Sequence, residues 1–246
     1  VSEVDCRLSA VSELIREIGM ANSDKEVAAV LIGSVARHTA TPNSDIDLLV
    51  VGADRSVEIP AAPSFHVQFC TIEEFRRRLA VGDDFAAWCV RYGVVLLGEV
   101  LWLQIIHLPE SEIWPIWNTK VVHAFRRLIF SWELIATADL SASQEELMYA
   151  FAHVARAILL RRHVFPLSRP ELPDQLVAVG ENRIGACLQN LCGDELGGST
   201  LRRYIAYAKK LLVGLDQTLY ETCSHEYQLK KRARIAKRAS GQFRHP

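Results

Sequence analysis

No CxxC pair occurs in this sequence, and no histidine cluster sits at zinc-ligand spacing. Its six cysteines, Cys6, Cys70, Cys89, Cys187, Cys192 and Cys223, are scattered through apolar or helical surroundings. That pattern excludes a disulfide framework or a structural zinc site as the organising device and fits reduced, mostly buried thiols. Long uncharged apolar runs are missing too. The most apolar window, 90–108, is interrupted by Arg91, Gly93, Gly98, Glu99 and Gln104. It reads as buried strand and connection, not as a membrane span. Residues 1–20 mix Glu, Asp and Arg with apolar positions, unlike a signal peptide. A cytoplasmic protein with no membrane partner is expected. Repeats and low-complexity segments are absent as well. So is bulk charge: the net charge is −1 over 246 residues, which names no partner. The charge is nevertheless uneven. Residues 226–246 hold seven Lys or Arg against one acid, a net of +6, which leaves a mildly acidic body at −1 − 6 = −7.

Half of the residues are hydrophobic, enough for one large domain or two small ones. Leu8, Val11, Leu14, Ile15 and Ile18 recur at helical spacing. The spacing then predicts a strand over Val27–Ile32, a short helix over Ser34–Ala40, turn chemistry at Thr41-Pro42-Asn43-Ser44 and a strand over Ile46–Val51. A surface loop over 52–64, carrying Pro60 and Pro63, and a third strand over Phe65–Phe69 follow. That strand puts His66, Gln68 and Cys70 on one face. Thr71 with Glu74 fits a capping box. A helix opens at Asp83 and Asp84, Gly93 ends it, and Val94–Leu97 is a fourth strand. Pro109 and Pro115 bracket a boundary, after which the period is helical. Val122, Phe125, Ile129 and Trp132 form one stripe. Leu147, Phe151, Val154 and Ile158 form a second, and Tyr204, Ile205, Leu211, Leu212, Leu215 and Leu219 a third. The expected fold is α+β: a small mixed-sheet domain over 1–108, a helical bundle over 109–225 and a basic tail over 226–246.

The chemistry is concentrated in VLIGSVARHTATPNSDIDLLVV, residues 30–51. Asp45 and Asp47, two apart at a strand, point to one face. Such a pair can hold a divalent cation through hard oxygen ligands. Upstream, the Gly33-Ser34 step between strand and helix offers backbone amides to a phosphate. A phosphate cradle beside metal-binding carboxylates points to chemistry on a nucleoside triphosphate.

Gly33-Ser34, ten residues, then Asp45-Ile46-Asp47 between apolar runs resembles the nucleotidyltransferase superfamily that includes DNA polymerase beta. It is most similar to the bacterial stand-alone domains, with His38 where glycine is more usual. A looser likeness extends over 25–100. The helical second half has the character of the substrate-binding bundles that often accompany such domains. The resemblance implies a magnesium-dependent transfer of a nucleoside monophosphate from an NTP, ATP foremost, to an acceptor hydroxyl on a small molecule, an RNA end or a protein. Asp45 and Asp47 are the implied catalytic and metal-ligating residues; Gly33, Ser34 and Arg37 are the implied triphosphate contacts. Family members usually carry a third carboxylate on the next core strand. Here the polar positions are His66 and Gln68, and Gln68 is a neutral oxygen donor to the site. Three accounts follow. A base comes from the helical half, with Glu133, Glu145 and Glu146 as candidates; two carboxylates suffice; or the domain binds nucleotide and turns over slowly, as a regulatory or antitoxin-like module.

Arg156 and His163, seven apart on an expected helix, are close to the spacing of HEPN ribonucleases, but Ala157 stands where a polar residue is usual. A surface Arg and His explain the spacing as well. Trp88, Trp102, Trp114, Trp117 and Trp132 gather in the middle third, as domain packing or as a stacking platform. Residues 166–172 read as a rigid polar loop after a helix, either a simple connector or a border of the acceptor site. Lys230, Lys231, Arg232, Arg234, Lys237 and Arg238 are the candidate RNA contacts of the tail.

Overall fold

The computed structural model describes residues 3–41, 44–53, 65–107 and 114–239. The chain divides into two compact units, Val1–Ile116 and Trp117–Pro246. Pro42 and Asn43 of the expected turn, nearly all of the expected loop before Phe65, the Pro109 side of the boundary and the end of the basic tail lie outside the described residues.

The first unit is a mixed four-stranded sheet. Its strands are β1 (Ala28–Ile32), β2 (Ile46–Val51), β3 (Phe65–Cys70) and β4 (Val94–Leu97), in the order β3-β2-β1-β4. β1 pairs antiparallel with both β2 and β4, and β2 pairs parallel with β3. Strand alternation divides the side chains between two faces. Ala29, Leu48 and Val50 meet Leu14 and Ile18 of α1 (Glu3–Ala21) on one side. Val30, Ile32, Leu49 and Val51 meet α3 (Ile72–Ala80), α4 (Asp84–Tyr92) and α5 (Glu99–Ile105) on the other. Phe75 is fully buried there, its ring 5.2 Å from that of Trp102. Burial of a side chain of that size contributes about 1.5–3 kcal/mol.

Local chemistry fixes the helix starts. Thr71 Oγ1 accepts from the Glu74 amide at 3.0 Å, and Asp83 Oδ1 accepts from the Ala86 amide at 2.9 Å. The expectation of strand and connection over 90–108 is corrected at its end. After β4 the chain forms α5, because Leu101, Trp102 and Ile105 recur at helical spacing and fill the core.

The expected helix over Ser34–Ala40 is also shorter. α2 (Gly33–Ala36) is one turn. His38 takes φ +56°, its amide donates to the Val35 carbonyl, and the Thr39 amide donates to the Ser34 carbonyl at 2.9 Å. That pair of bonds is the Schellman closure, whose left-handed residue is most often glycine. The unusual histidine of the motif therefore occupies the position where a side chain is least comfortable.

The second unit is helical: α6 (Trp117–Ala136), α7 (Leu140–Arg161), α8 (Leu172–Ala178), α9 (Asn182–Leu191), α10 (Gly198–Leu215) and α11 (Gln217–Ala239). α7 is its centre, buried at Leu147, Phe151, Val154, Ile158 and on most other faces. Buried Gln144 ties it to the loop before α10, donating to the carbonyls of Leu191 and Asp194 and accepting from the Leu196 amide at 2.8 Å. The expected α6 stripe is rotated by about one residue. Val121, Ala124, Phe125, Leu128 and Ile135 face the core, while Trp132 is exposed. The third stripe spans two helices, because α10 ends at Leu215 and Asp216 caps α11 through the Leu219 amide at 2.8 Å. The expected tail is helical through Ala239.

Candidate functional site

Asp47 is the second residue of β2, a central strand, and faces the side covered by α3–α5. Opposite it in register stands Ile32 on β1, immediately before Gly33. Gly33 has φ +73°, and a Cβ built there would stand 2.2 Å from Asp47 Oδ2. The strand-to-helix turn is thus cut to admit the Asp47 carboxylate, and only glycine combines that backbone with that clearance. Asp45 lies just before β2, on the same side by alternation and exposed to solvent. The turn that delivers it is closed by the Thr41 amide, which donates to Ser44 Oγ at 2.9 Å.

On β3, His66 is the register partner of Asp47, and its Nδ1 is 3.2 Å from Asp47 Oδ1. The Asp47 side chain is 32% exposed, that of His66 64%. Burial holds the Asp47 carboxyl above its usual range; the His66 hydrogen bond and charge pull it down, and Asp45 pushes it up. Gln68 pairs with Leu49, roughly 6–7 Å further along the strand than His66. His66, not Gln68, therefore neighbours the carboxylates. The sequence carries that signal in the shared parity of His66 and Asp47, but the register is needed to choose between the two polar positions.

Arg37 closes the α2 turn with its guanidinium over the rings of Trp88 and Tyr92, at 5.3 and 5.2 Å. It is a stacked and oriented cation near Ser34, not a solvated helix residue.

The donor set fits magnesium in its carboxylates and not in its imidazole. Magnesium is usually held by one or two carboxylates plus substrate phosphates and water. Among the described residues no group of three or more His, Cys, Asp or Glu is arranged to hold a metal. Asp45 and Asp47 therefore suit a cation that arrives with phosphate oxygens.

Several of the other candidates make contacts of their own, while Glu145 is exposed on α7. Glu146 receives Arg127 Nη1 at 2.8 and 3.0 Å. Glu133 accepts from the Tyr227 hydroxyl. His163 lies beyond the end of α7, at φ +55° in another Schellman closure, so it does not share a helical face with Arg156. Trp102 is a core residue, and Trp117 lies under Arg161. Among the described residues no helix is long and apolar enough to cross a membrane.

Residues 11–90 match the family model of the nucleotidyltransferase domain. No curated protein matches the chain. Among solved structures it is similar to a nucleotidyltransferase-like protein from Exiguobacterium sibiricum 255-15, at 18% identity and a TM-score of 0.44, over 86% of this chain and 75% of that one.

Proposed function

Residues 11–90 carry a nucleotidyltransferase domain, and on that premise we propose a magnesium-dependent enzyme that moves a nucleoside monophosphate from an NTP, ATP foremost, to an acceptor hydroxyl. The observation that carries this reading is the fit of Gly33 to Asp47 beside Asp45. It is a turn that seats the half-buried Asp47 carboxylate beside the exposed Asp45 at the start of a helix.

Ser34 and the amides of the Gly33-Ser34 turn bind the triphosphate, since first-turn amides have no intrahelical acceptor. Arg37, held by Trp88 and Tyr92, adds a fixed positive charge. Asp45 and Asp47 are the residues that would hold magnesium, which would neutralise phosphate charge and make the α-phosphorus more open to an attacking oxygen. The residues contribute position and preset charge, the main sources of rate in phosphoryl chemistry. The helical unit is the acceptor-binding part in this reading, the basic segment of 226–246 is available to RNA, and the protein is cytoplasmic.

A second reading is a nucleotide-binding or regulatory module of low turnover. It is favoured by His66, an imidazole in register with Asp47, where the family resemblance leads one to expect a carboxylate. Incubation with labelled NTPs and magnesium separates the two. Pyrophosphate release that disappears in Asp45→Ala/Asp47→Ala supports the enzyme. Nucleotide binding without release supports the module, and turnover that survives the double substitution removes the site from consideration.

A further inference from the structure

Five cations converge on one concave basin in the helical unit: Arg161 and Arg162 from the end of α7, Arg183 from α9, and Arg203 and Lys210 from α10. The basin has a volume of about 770 Å³, and Glu181 is the only acid among its described lining residues. That acid is occupied by the Arg162 guanidinium. Among the described residues, the other four cations have no carboxylate within ion-pair distance. Like charges gathered in a concavity repel one another and raise the energy of the unliganded fold. Such an arrangement is relieved by an anion.

All five cations are exposed, and Arg161 and Arg183 are oriented by contacts within the helical unit. Arg161 donates from Nη1 to the Leu215 carbonyl at 2.9 Å and lies over Trp117 at 4.8 Å. Arg183 lies over Tyr207 at 4.3 Å. Arg203 and Lys210 are seven apart and share one face of α10. The floor is apolar, with Ile158, Ile184 and Leu211, and a poorly polarisable floor strengthens charge interactions above it. Guanidinium groups match phosphate oxygens in a planar fork.

We propose that this basin binds a compact polyphosphorylated small molecule. Compactness follows from the layout, because the charges of three helices meet over one hollow of metabolite size. An extended nucleic-acid backbone calls for a stripe. The basin lies in the helical unit and shares no residue with the Asp45–Asp47 site, so the proposal stands whether or not that site transfers nucleotides.

The test uses inorganic tripolyphosphate as the probe. The full chain carries Asp45→Ala and Asp47→Ala, and the buffer contains EDTA, which removes the metal from the nucleotide site; any binding left at Gly33, Ser34 and Arg37 is common to all the variants and is not moved by changes at Arg203 or Lys210. Calorimetric titration of this protein is compared with three further variants, each checked for helicity by circular dichroism. Arg203→Gln/Lys210→Gln should weaken binding about tenfold or more, since hydrogen bonds to charged groups are the strong ones. Arg203→Lys/Lys210→Arg keeps both charges while moving the guanidinium fork from one position to the other, and should weaken binding less than the glutamine pair does. Arg76→Gln/Arg77→Gln, on α3, should change nothing. No binding by the starting protein overturns the proposal. So does an unchanged affinity in the Arg203→Gln/Lys210→Gln variant, or a loss in the Arg76/Arg77 variant that it does not share. Binding of a single-stranded RNA oligomer through Arg203 and Lys210, with tripolyphosphate ignored, overturns it in favour of a nucleic-acid surface.

Discussion

Gly33 and Asp47 are fitted to each other across the β1–β2 pair: a Cβ at Gly33 would stand 2.2 Å from Asp47 Oδ2. Gly33→Ala therefore meets both an unfavourable backbone, at about 1–3 kcal/mol, and a displaced carboxylate. Urea unfolding should show a loss of at least that size. In an Asp47→Ala background the loss should shrink toward the backbone part alone. A loss equal in both backgrounds means that the two residues are not coupled.

The half-buried Asp47 carboxylate is held in its place at some cost, because burial disfavours its charge. Asp47→Asn should be as stable as the parent in metal-free buffer or gain up to about 1 kcal/mol. Magnesium with nucleotide should raise the melting temperature of the parent and leave that of the variant unmoved. A variant stabilised by the ligand as strongly as the parent argues against Asp47 as a ligand.

His66→Asp places a third hard oxygen donor in register with Asp47. Magnesium binding with nucleotide should tighten by about tenfold or more, as read by isothermal titration, and pyrophosphate release should rise with it. An unchanged affinity means that the edge position does not reach the cation.

His38, Ala138 and His163 each hold a left-handed Schellman position, at φ +56°, +61° and +55°. Glycine removes the strain that a side chain meets there. His38→Gly, Ala138→Gly and His163→Gly should each leave stability unchanged or raise it by about 1 kcal/mol in chemical denaturation. A consistent loss shows that the side chains make compensating contacts.

Burial pushes the Cys70 thiol up to about 11, with Glu74 adding to it and Arg78 opposing, and pushes Cys89 up further. Cys192 is exposed. In a Cys6→Ser protein at about pH 8, a thiol-selective reagent followed by peptide mass mapping should label Cys192 first. Cys70 and Cys89 should be labelled only after denaturation.

What could be read from the sequence was what local rules decide. β2 and β4 run over the expected residues, and Thr71 and Asp83 cap the helices that they were expected to open. The motif put two carboxylates on one face with a glycine turn. Three kinds of information lay outside that reach. The register of β3 on β2 decided between His66 and Gln68, and parity alone could not. The α6 helix has apolar residues on more than one face, so its buried side was fixed by α7 and not by its own pattern. The cations of the basin come from three helices far apart in the chain, with no run or spacing to mark them.

His66 belongs to β3, which has a single neighbour in the described sheet, whereas Asp47 belongs to β2, flanked on both sides. The two halves of the site thus differ in how freely they can be revised. Replacing Asp47 disturbs a residue wedged against Gly33 in the middle of the sheet. Replacing His66 alters an exposed side chain on a border strand and leaves the framework alone. On the proposed reading of Asp45 and Asp47 as metal ligands, a lineage built on this plan could gain, lose or exchange a third ligand without rebuilding the domain that presents the other two.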